Sequence, residues 1–192
     1  TGWPKGVAVT HRGLLNLVHW YCQAFALSSA DRSTQVAGLG FDATVWEVWP
    51  QLAAGASIYL ANEEARISAE ALRDWLVAEQ ITVSYVPTPL TEALLGLEWP
   101  SASALRFLIT GGDTLHRFPT TSHPFVVMNN YGPTENTVVV SSGAVEPNEQ
   151  SGLLPHIGKP IANVQVYVLG LQLEVVPIGV VGELYVSGAS QA

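Results

Sequence analysis

The sequence predicts an α/β fold: a mostly parallel sheet with helices on both faces, followed by the start of a β-rich subdomain. Three observations carry this expectation. Residues 1–140 alternate short β-branched runs with stretches of helical period, the pattern of strand–helix–strand units whose strands pair in parallel. Residues 141–192 set strand-like runs one after another without intervening helices, which marks a partial β-rich unit after a partial α/β core. Apolar residues make up 48% of the 192, enough to cover both faces of such a sheet.

The elements follow in order. Residues 11–25 place Leu14, Leu17, Val18, Tyr21 and Phe25 on one side at helical spacing. In residues 41–49 the aromatic and β-branched content suggests a strand, but Val45, Val48 and Trp49 recur at helical period, so a helix is expected, stopped by Gly55. Residues 57–60 read as a buried strand. Residues 68–80 read as a helix capped by Ser68, with Leu72, Trp75 and Leu76 inward. A strand over 81–86 leads to a short helix capped by Thr88 with Pro89 at its first position, where a missing amide proton costs nothing. Strands are expected at 105–109, 126–128, 137–140, 164–169 and 183–186.

Composition narrows the function. The net charge is −8 and the eight basic residues are spread thinly, which excludes a nucleic-acid surface but leaves room for a small anionic ligand. Cys22, the single cysteine, has no internal disulfide partner and suits a reducing compartment as a small buried hydrophobe. No signal-peptide pattern opens the chain and no apolar run approaches the ~20 residues of a membrane span. A soluble, cytoplasmic protein without membrane contact is expected. The chain opens on a loop and stops directly after a strand, so both ends are expected to be cuts within a longer domain.

Three loops carry residues poorly suited to a core. In Thr1-Gly2-Trp3-Pro4-Lys5-Gly6 the glycines let the backbone approach a phosphate, while Thr1 and Lys5 offer a hydroxyl and a positive charge; a surface turn explains the same residues. Asn129-Asn130-Tyr131-Gly132-Pro133-Thr134-Glu135 follows a strand and so lies at its carboxyl end, where ligands bind in open α/β sheets. Tyr131 offers a ring face to a purine, and Thr134 and Glu135 offer hard oxygen ligands to magnesium; a Gly-Pro turn is the plain alternative. Asp42, in Phe41-Asp42-Ala43, sits among apolar residues and needs a partner: either the start of the following helix, as its cap, or the ammonium group of a ligand.

Together these loops resemble the adenylation domains of nonribosomal peptide synthetases, within the adenylate-forming superfamily. Residues 1–7 resemble the second half of the family's phosphate loop. Phe41-Asp42-Ala43-Thr44 matches its amino-acid-pocket motif, Tyr131-Gly132-Pro133-Thr134-Glu135 its adenylation motif, and Gly182-Glu183-Leu184-Tyr185-Val186-Ser187-Gly188 the motif that follows. The resemblance covers the whole chain in the correct order and implies a fragment of the superfamily's N-terminal core. One departure is a short stretch, with Arg117-Phe118-Pro119 and Pro124, where the family has a long helix.

The resemblance implies that an amino acid reacts with MgATP to give an aminoacyl adenylate, which then passes to the phosphopantetheine thiol of a peptidyl carrier domain, with condensation domains as further partners. It implies an adenine site of Tyr131 with Gly111, Gly112, Asn129, Asn130 and Gly132, and phosphate contacts from Thr1, Gly2, Lys5 and Thr134. Thr134 and Glu135 would be the catalytic pair, Glu135 also holding magnesium. The matching amino-acid pocket is Asp42, Ala43, Trp46, Tyr85, Ile109, Gly111, Asn130, Val138 and Val139, with ordinary strand packing as the alternative for the last two. Apart from Asp42 it is mostly apolar, implying an apolar substrate of the leucine type. The family's C-terminal lysine has no counterpart here, so the fragment alone is expected to be inactive. Two competing functions remain: an acyl- or aryl-acid adenylating ligase, and a catalytically incomplete nucleotide-binding module.

Overall fold

The computed structural model describes residues 6–148 and 152–192. A seven-stranded sheet runs in the order β2-β1-β3-β4-β5-β6-β7 and a separate two-stranded sheet pairs β8 with β9. The strands are β1 (Arg32–Gln35), β2 (Ser57–Leu60), β3 (Val83–Tyr85), β4 (Phe107–Gly111), β5 (Val126–Tyr131), β6 (Ser141–Val145), β7 (Lys159–Pro160), β8 (Val164–Leu169) and β9 (Glu183–Gly188). From β2 to β5 every pairing is parallel; it turns antiparallel between β5 and β6 and stays so through β7. The helices are α1 (His11–Ala24), α2 (Ala43–Ala54), α3 (Glu63–Ile67), α4 (Ala69–Ala78) and α5 (Thr88–Leu94).

Strand periodicity sorts the core onto two faces. Leu108 and its neighbours in register, Val127 and Val145, pack with Leu72 and Leu76 of α4 and Leu94 of α5. Ile109 and Val83 point the other way, to Leu17 and Tyr21 of α1, to Phe25 just beyond it, and to Trp46 of α2. The first helix starts where Thr10 accepts the Gly13 amide at 3.0 Å. Helix α2 ends at Gly55, whose φ of 72° is the left-handed conformation that glycine takes without a Cβ clash. Ser68 caps α4 by accepting the Ala71 amide at 3.3 Å. No helix among the described residues is long and apolar enough to cross a membrane.

Several expectations need correction. Ser57–Leu60 is a strand but not a buried one: it is the sheet's edge, and Leu60 is exposed. Residues 137–140 form a bend, not a strand. Thr137 and Val138 have φ of 48° and 74°, the Thr137 hydroxyl donates to the Ser190 carbonyl at 2.6 Å, and the Asn136 amide donates to the Val139 carbonyl at 3.1 Å. These tertiary bonds override β-branched propensity. Thr88 is not a cap; it lies inside α5, with Pro87 before it, and its hydroxyl donates to the Gly111 carbonyl at 3.2 Å. Strands β1, β6 and β7 and helix α3 escaped the pattern reading, being short or polar. Between β4 and β5 the described chain crosses over without a helix, in keeping with the short proline-bearing stretch.

At the end of the sheet opposite the ligand loops, Asp31 holds three segments together. Its carboxylate accepts the Ser28 amide at 2.8 Å, the Thr82 hydroxyl at 2.7 Å and the Arg106 guanidinium at 2.7 Å. Burial alone would raise its pKa, but the bonds from Thr82, Arg106 and the Ser28 amide outweigh it and hold the carboxyl below its ordinary value. The stabilisation is therefore complete above the unfolded-state value of about 4 and is lost as pH falls through the lower folded value. Arg106 is partly exposed, so most of the benefit lies in hydrogen bonding rather than in the ion pair. Asp31→Ala should cost ~1–3 kcal/mol in urea unfolding at neutral pH and flatten the acid side of the stability profile.

Candidate active site

Parallel pairing aligns Tyr85 with Ile109 and Met128, and Gly111 with Asn130, so β3, β4 and β5 end along one edge of the sheet. The loops leaving that edge, the start of α2 and the turn after β5 enclose three adjoining clefts, at the carboxyl ends of the strands as the sheet's topology requires.

The innermost is a cavity of about 50 Å³. Asp42, Ala43 and Trp46 enter it from α2, Tyr85 from β3, Gly111 and Gly112 from the end of β4, Asn130 from β5, and Gly132 and Val138 from the turn. The left-handed backbone at Val138 carries this side chain to the cavity. Ile109 and Val139 do not line it; both are buried in the core beneath α1 and α2. Asp42 makes no capping bond to α2 although it stands at the cap position, which removes the helix-cap alternative. Its partner is the Thr134 hydroxyl, which donates to Oδ2 at 2.6 Å. The Tyr85 hydroxyl donates to the Gly111 carbonyl at 3.3 Å. Burial, then the negative charges of Glu47 and Asp42, push its pKa up to about 12, keeping it a neutral donor. Trp46 Nε1 and Asn130 Oδ1 are buried with no hydrogen-bond partner among the described residues, a donor and an acceptor on side chains that line this cavity.

Next to it lies a cleft of about 430 Å³, walled by Gly112, Asn129, Asn130, Tyr131 and Gly132 on one side and by Leu154, Pro155 and Ile157 on the other. Tyr131 keeps its ring half-exposed. The Asn129 amide donates to the His156 carbonyl at 3.0 Å, so it holds the opposite wall in place. That wall carries no periodic or polar signal in the sequence. A third cleft, of about 520 Å³, opens between Ala37, Phe41, Asp42, Arg66, Pro87 and Gly112.

Thr134 and Glu135 form a single 3-10 turn after Pro133, with Thr134 half-buried on Asp42 and Glu135 exposed. Among the described residues no group of three or more His, Cys, Asp or Glu could hold a metal. One exposed carboxylate still suits magnesium, which keeps most of its waters and takes further oxygens from substrate phosphates. Thr1, Gly2 and Lys5 lie outside the described residues.

The buried face of α2 also carries a residue missed by the sequence reading. Ala43, Trp46, Glu47 and Pro50 follow helical spacing and are all buried, and a carboxylate in such a stripe is the signal that marks it. Glu47 accepts the backbone amides of Val36 and Ala37 at 2.7 and 3.1 Å. Gln35 and Arg66 complete this polar group, Arg66 donating to Gln35 Oε1 at 2.8 Å.

The family model for AMP-binding enzymes matches residues 1–192. The chain belongs to the AMP-binding enzyme family. Its relatives include components of linear gramicidin synthase from Brevibacillus parabrevis. One of these is 56% identical over 100% of this chain and 4% of that protein. Another is 54% identical over 100% of this chain and 2% of its own length. Among AMP-binding structures, that of the nonribosomal peptide synthetase FmoA3 in its AMPPNP-bound form superposes with a TM-score of 0.88 at 28% identity, covering 100% of this chain and 22% of that one. The chain thus spans a few hundredths of the length of these two synthase proteins.

The turn that separates the two inner clefts depends on Gly132. A Cβ there would stand 2.4 Å from the Val138 carbonyl oxygen and 2.7 Å from the Val140 nitrogen, both backbone atoms with little room to yield. Gly132→Ala should lower the melting temperature, measured by thermal denaturation.

Proposed function

We propose that this chain is a fragment of an amino-acid adenylation domain of nonribosomal peptide synthesis, which activates an apolar amino acid, leucine favoured, with MgATP. The observation that carries the reading is the Asp42 carboxylate on the wall of a small, largely apolar cavity, next to a separate cleft walled by Tyr131. Asp42 would take the substrate's α-ammonium, exchanging the Thr134 hydroxyl for a full charge. The apolar remainder leaves a second charge without a partner, which disfavours acidic and basic side chains. Asp42 also disfavours an acyl- or aryl-acid ligase, because an acid without an amino group would meet an unpaired carboxylate.

Tyr131 would stack on adenine, with Gly111, Gly112, Asn129 and Asn130 beside it; Asn129 does so while holding the far wall. Thr134, released from Asp42, would contact phosphate, and Thr1, Gly2 and Lys5 would add the phosphate loop. The substrate carboxylate oxygen attacks the α-phosphorus and pyrophosphate leaves. Magnesium, held by Glu135, would supply positive charge to the phosphate oxygens during that displacement. The chain's own part is to orient the two substrates and fix their charges. We further propose that residues 1–140 and 141–192 belong to successive subdomains, that the protein works in the cytoplasm, and that a carrier domain's phosphopantetheine thiol takes the aminoacyl group.

Amino-acid-dependent ATP–pyrophosphate exchange in the full-length protein tests the reading. Leucine should lead a substrate panel, with lysine and glutamate far below; a charged amino acid in first place would refute the pocket assignment. Asp42→Ala should cost roughly 2–5 kcal/mol in amino-acid activation, spare ATP binding, and relax discrimination against the matching acid that lacks the amino group.

A further inference from the structure

We propose that Glu47 is a positioning residue for the amino-acid pocket, its carboxylate fixing the start of α2, and with it the Asp42 anchor, against the carboxyl end of β1. The inference rests on the adenylation reading above and assigns a residue to which that reading gives no part.

Glu47 is 1% exposed, and no cation lies within salt-bridge distance of it among the described residues. Both of its oxygens are taken by two consecutive amides, Val36 to Oε1 at 2.7 Å and Ala37 to Oε2 at 3.1 Å. These amides follow directly on β1, where the chain has left the strand ladder and offers donors that no neighbouring strand accepts. Ala37 is held through its carbonyl as well, which lies in the next peptide group and accepts from Gln35 Nε2. Arg66 steadies Gln35 at 2.8 Å and anchors itself on the Ala61 carbonyl at 3.0 Å. Val36, Ala37, Asp42, Ala43 and Arg66 all line the cleft of about 520 Å³. Glu47 stands one helical turn after Ala43, so its link to residues 36 and 37 sets how deeply the first turn of α2 sits in the site.

A buried carboxylate that merely satisfies backbone donors would account for the same contacts, and titration separates the two roles. Burial raises the Glu47 pKa to about 7, against the pull of the Val36 and Ala37 amides, Gln35 and the Arg66 charge. The other titratable groups around it are Tyr21 of α1 and Tyr85 of β3, both pushed upward chiefly by burial and therefore uncharged near neutrality, and Asp42 at the head of its own helix. Below pH ~7 the protonated group loses an acceptor and slackens on Ala37; above it both amides are gripped. Stability runs the opposite way. A carboxyl raised on folding gives stability present below the unfolded value of about 4.3 and lost as pH rises through the folded one. Positioning thus predicts amino-acid recognition that improves over the pH range in which folding stability declines, a pairing that a purely structural role does not produce.

The experiment measures pyrophosphate exchange in the full-length protein from pH 5.5 to about 8.5, with KM for leucine and for ATP determined separately. In the wild type, kcat/KM for leucine should rise through an inflection near pH ~7 while the KM for ATP stays flat. Glu47→Gln should raise the KM for leucine ~10- to 100-fold, leave that for ATP within ~2-fold, and abolish the inflection. If the variant does not fold, the wild-type profile decides alone. A flat profile, or equal losses for both substrates in Glu47→Gln, overturns the inference while leaving adenylation intact. Absence of exchange with every amino acid overturns the adenylation reading and this inference with it.

Discussion

Parallel hydrogen bonding between β1, β3, β4 and β5 brings the four strands to a common edge, and the site depends on that alignment. The residues at or just past the end of each strand gather there: Val36 and Ala37, Pro87 and Thr88, Gly111 and Gly112, Tyr131 and Gly132. A slip of one residue in β4 would turn Leu108 and Ile109 onto each other's faces and break both halves of the core at once. The apolar alternation that stabilises the sheet therefore also fixes the relative heights of the three clefts.

Polar groups within this framework are used sparingly and each joins distant segments. Thr134 meets Asp42 across 92 positions of sequence, Asn129 meets His156 across 27, and Glu47 meets residues 10 or 11 positions away on another element. In a site of small volume such contacts do more to set geometry than to add net stability, since each exchanges hydrogen bonds with water for hydrogen bonds with protein. The bend at residues 137–140 follows the same logic. Two β-branched residues accept a left-handed backbone because hydrogen bonds from Asn136 and Thr137 hold them there.

The legible part of the fold was that governed by local chemistry. Helical period found α1, α2 and α4, and the Ser68 cap is set by the hydroxyl and the amide three residues on. Asp42 and Tyr131 were legible as candidates because a carboxylate among apolar residues, and an aromatic beside two amides, a glycine, a hydroxyl and a carboxylate, are poor choices for a core. What sequence pattern missed was decided at a distance. The apolar run at 57–60 looks like any interior strand until the sheet order places it at the edge. The valines at 138 and 139 read alike, yet the backbone turn sends Val138 to the cavity and Val139 to the core. Glu47 was missed because a solvated helix face and a buried backbone clamp use the same residue type.

The glycines on the site's rim bear on how such a pocket diversifies. A Cβ on Gly111 would approach the Asn130 carbonyl oxygen to 2.5 Å, and one on Gly132 meets main chain on every near side. Neither position can acquire a side chain without moving a strand or a turn. Trp46, Tyr85 and Val138, by contrast, line the cavity with side chains rather than with main chain. The wall is therefore unequal in evolutionary freedom: one half is frozen by contact between peptide groups, and any change in the cavity's shape must arise from the other.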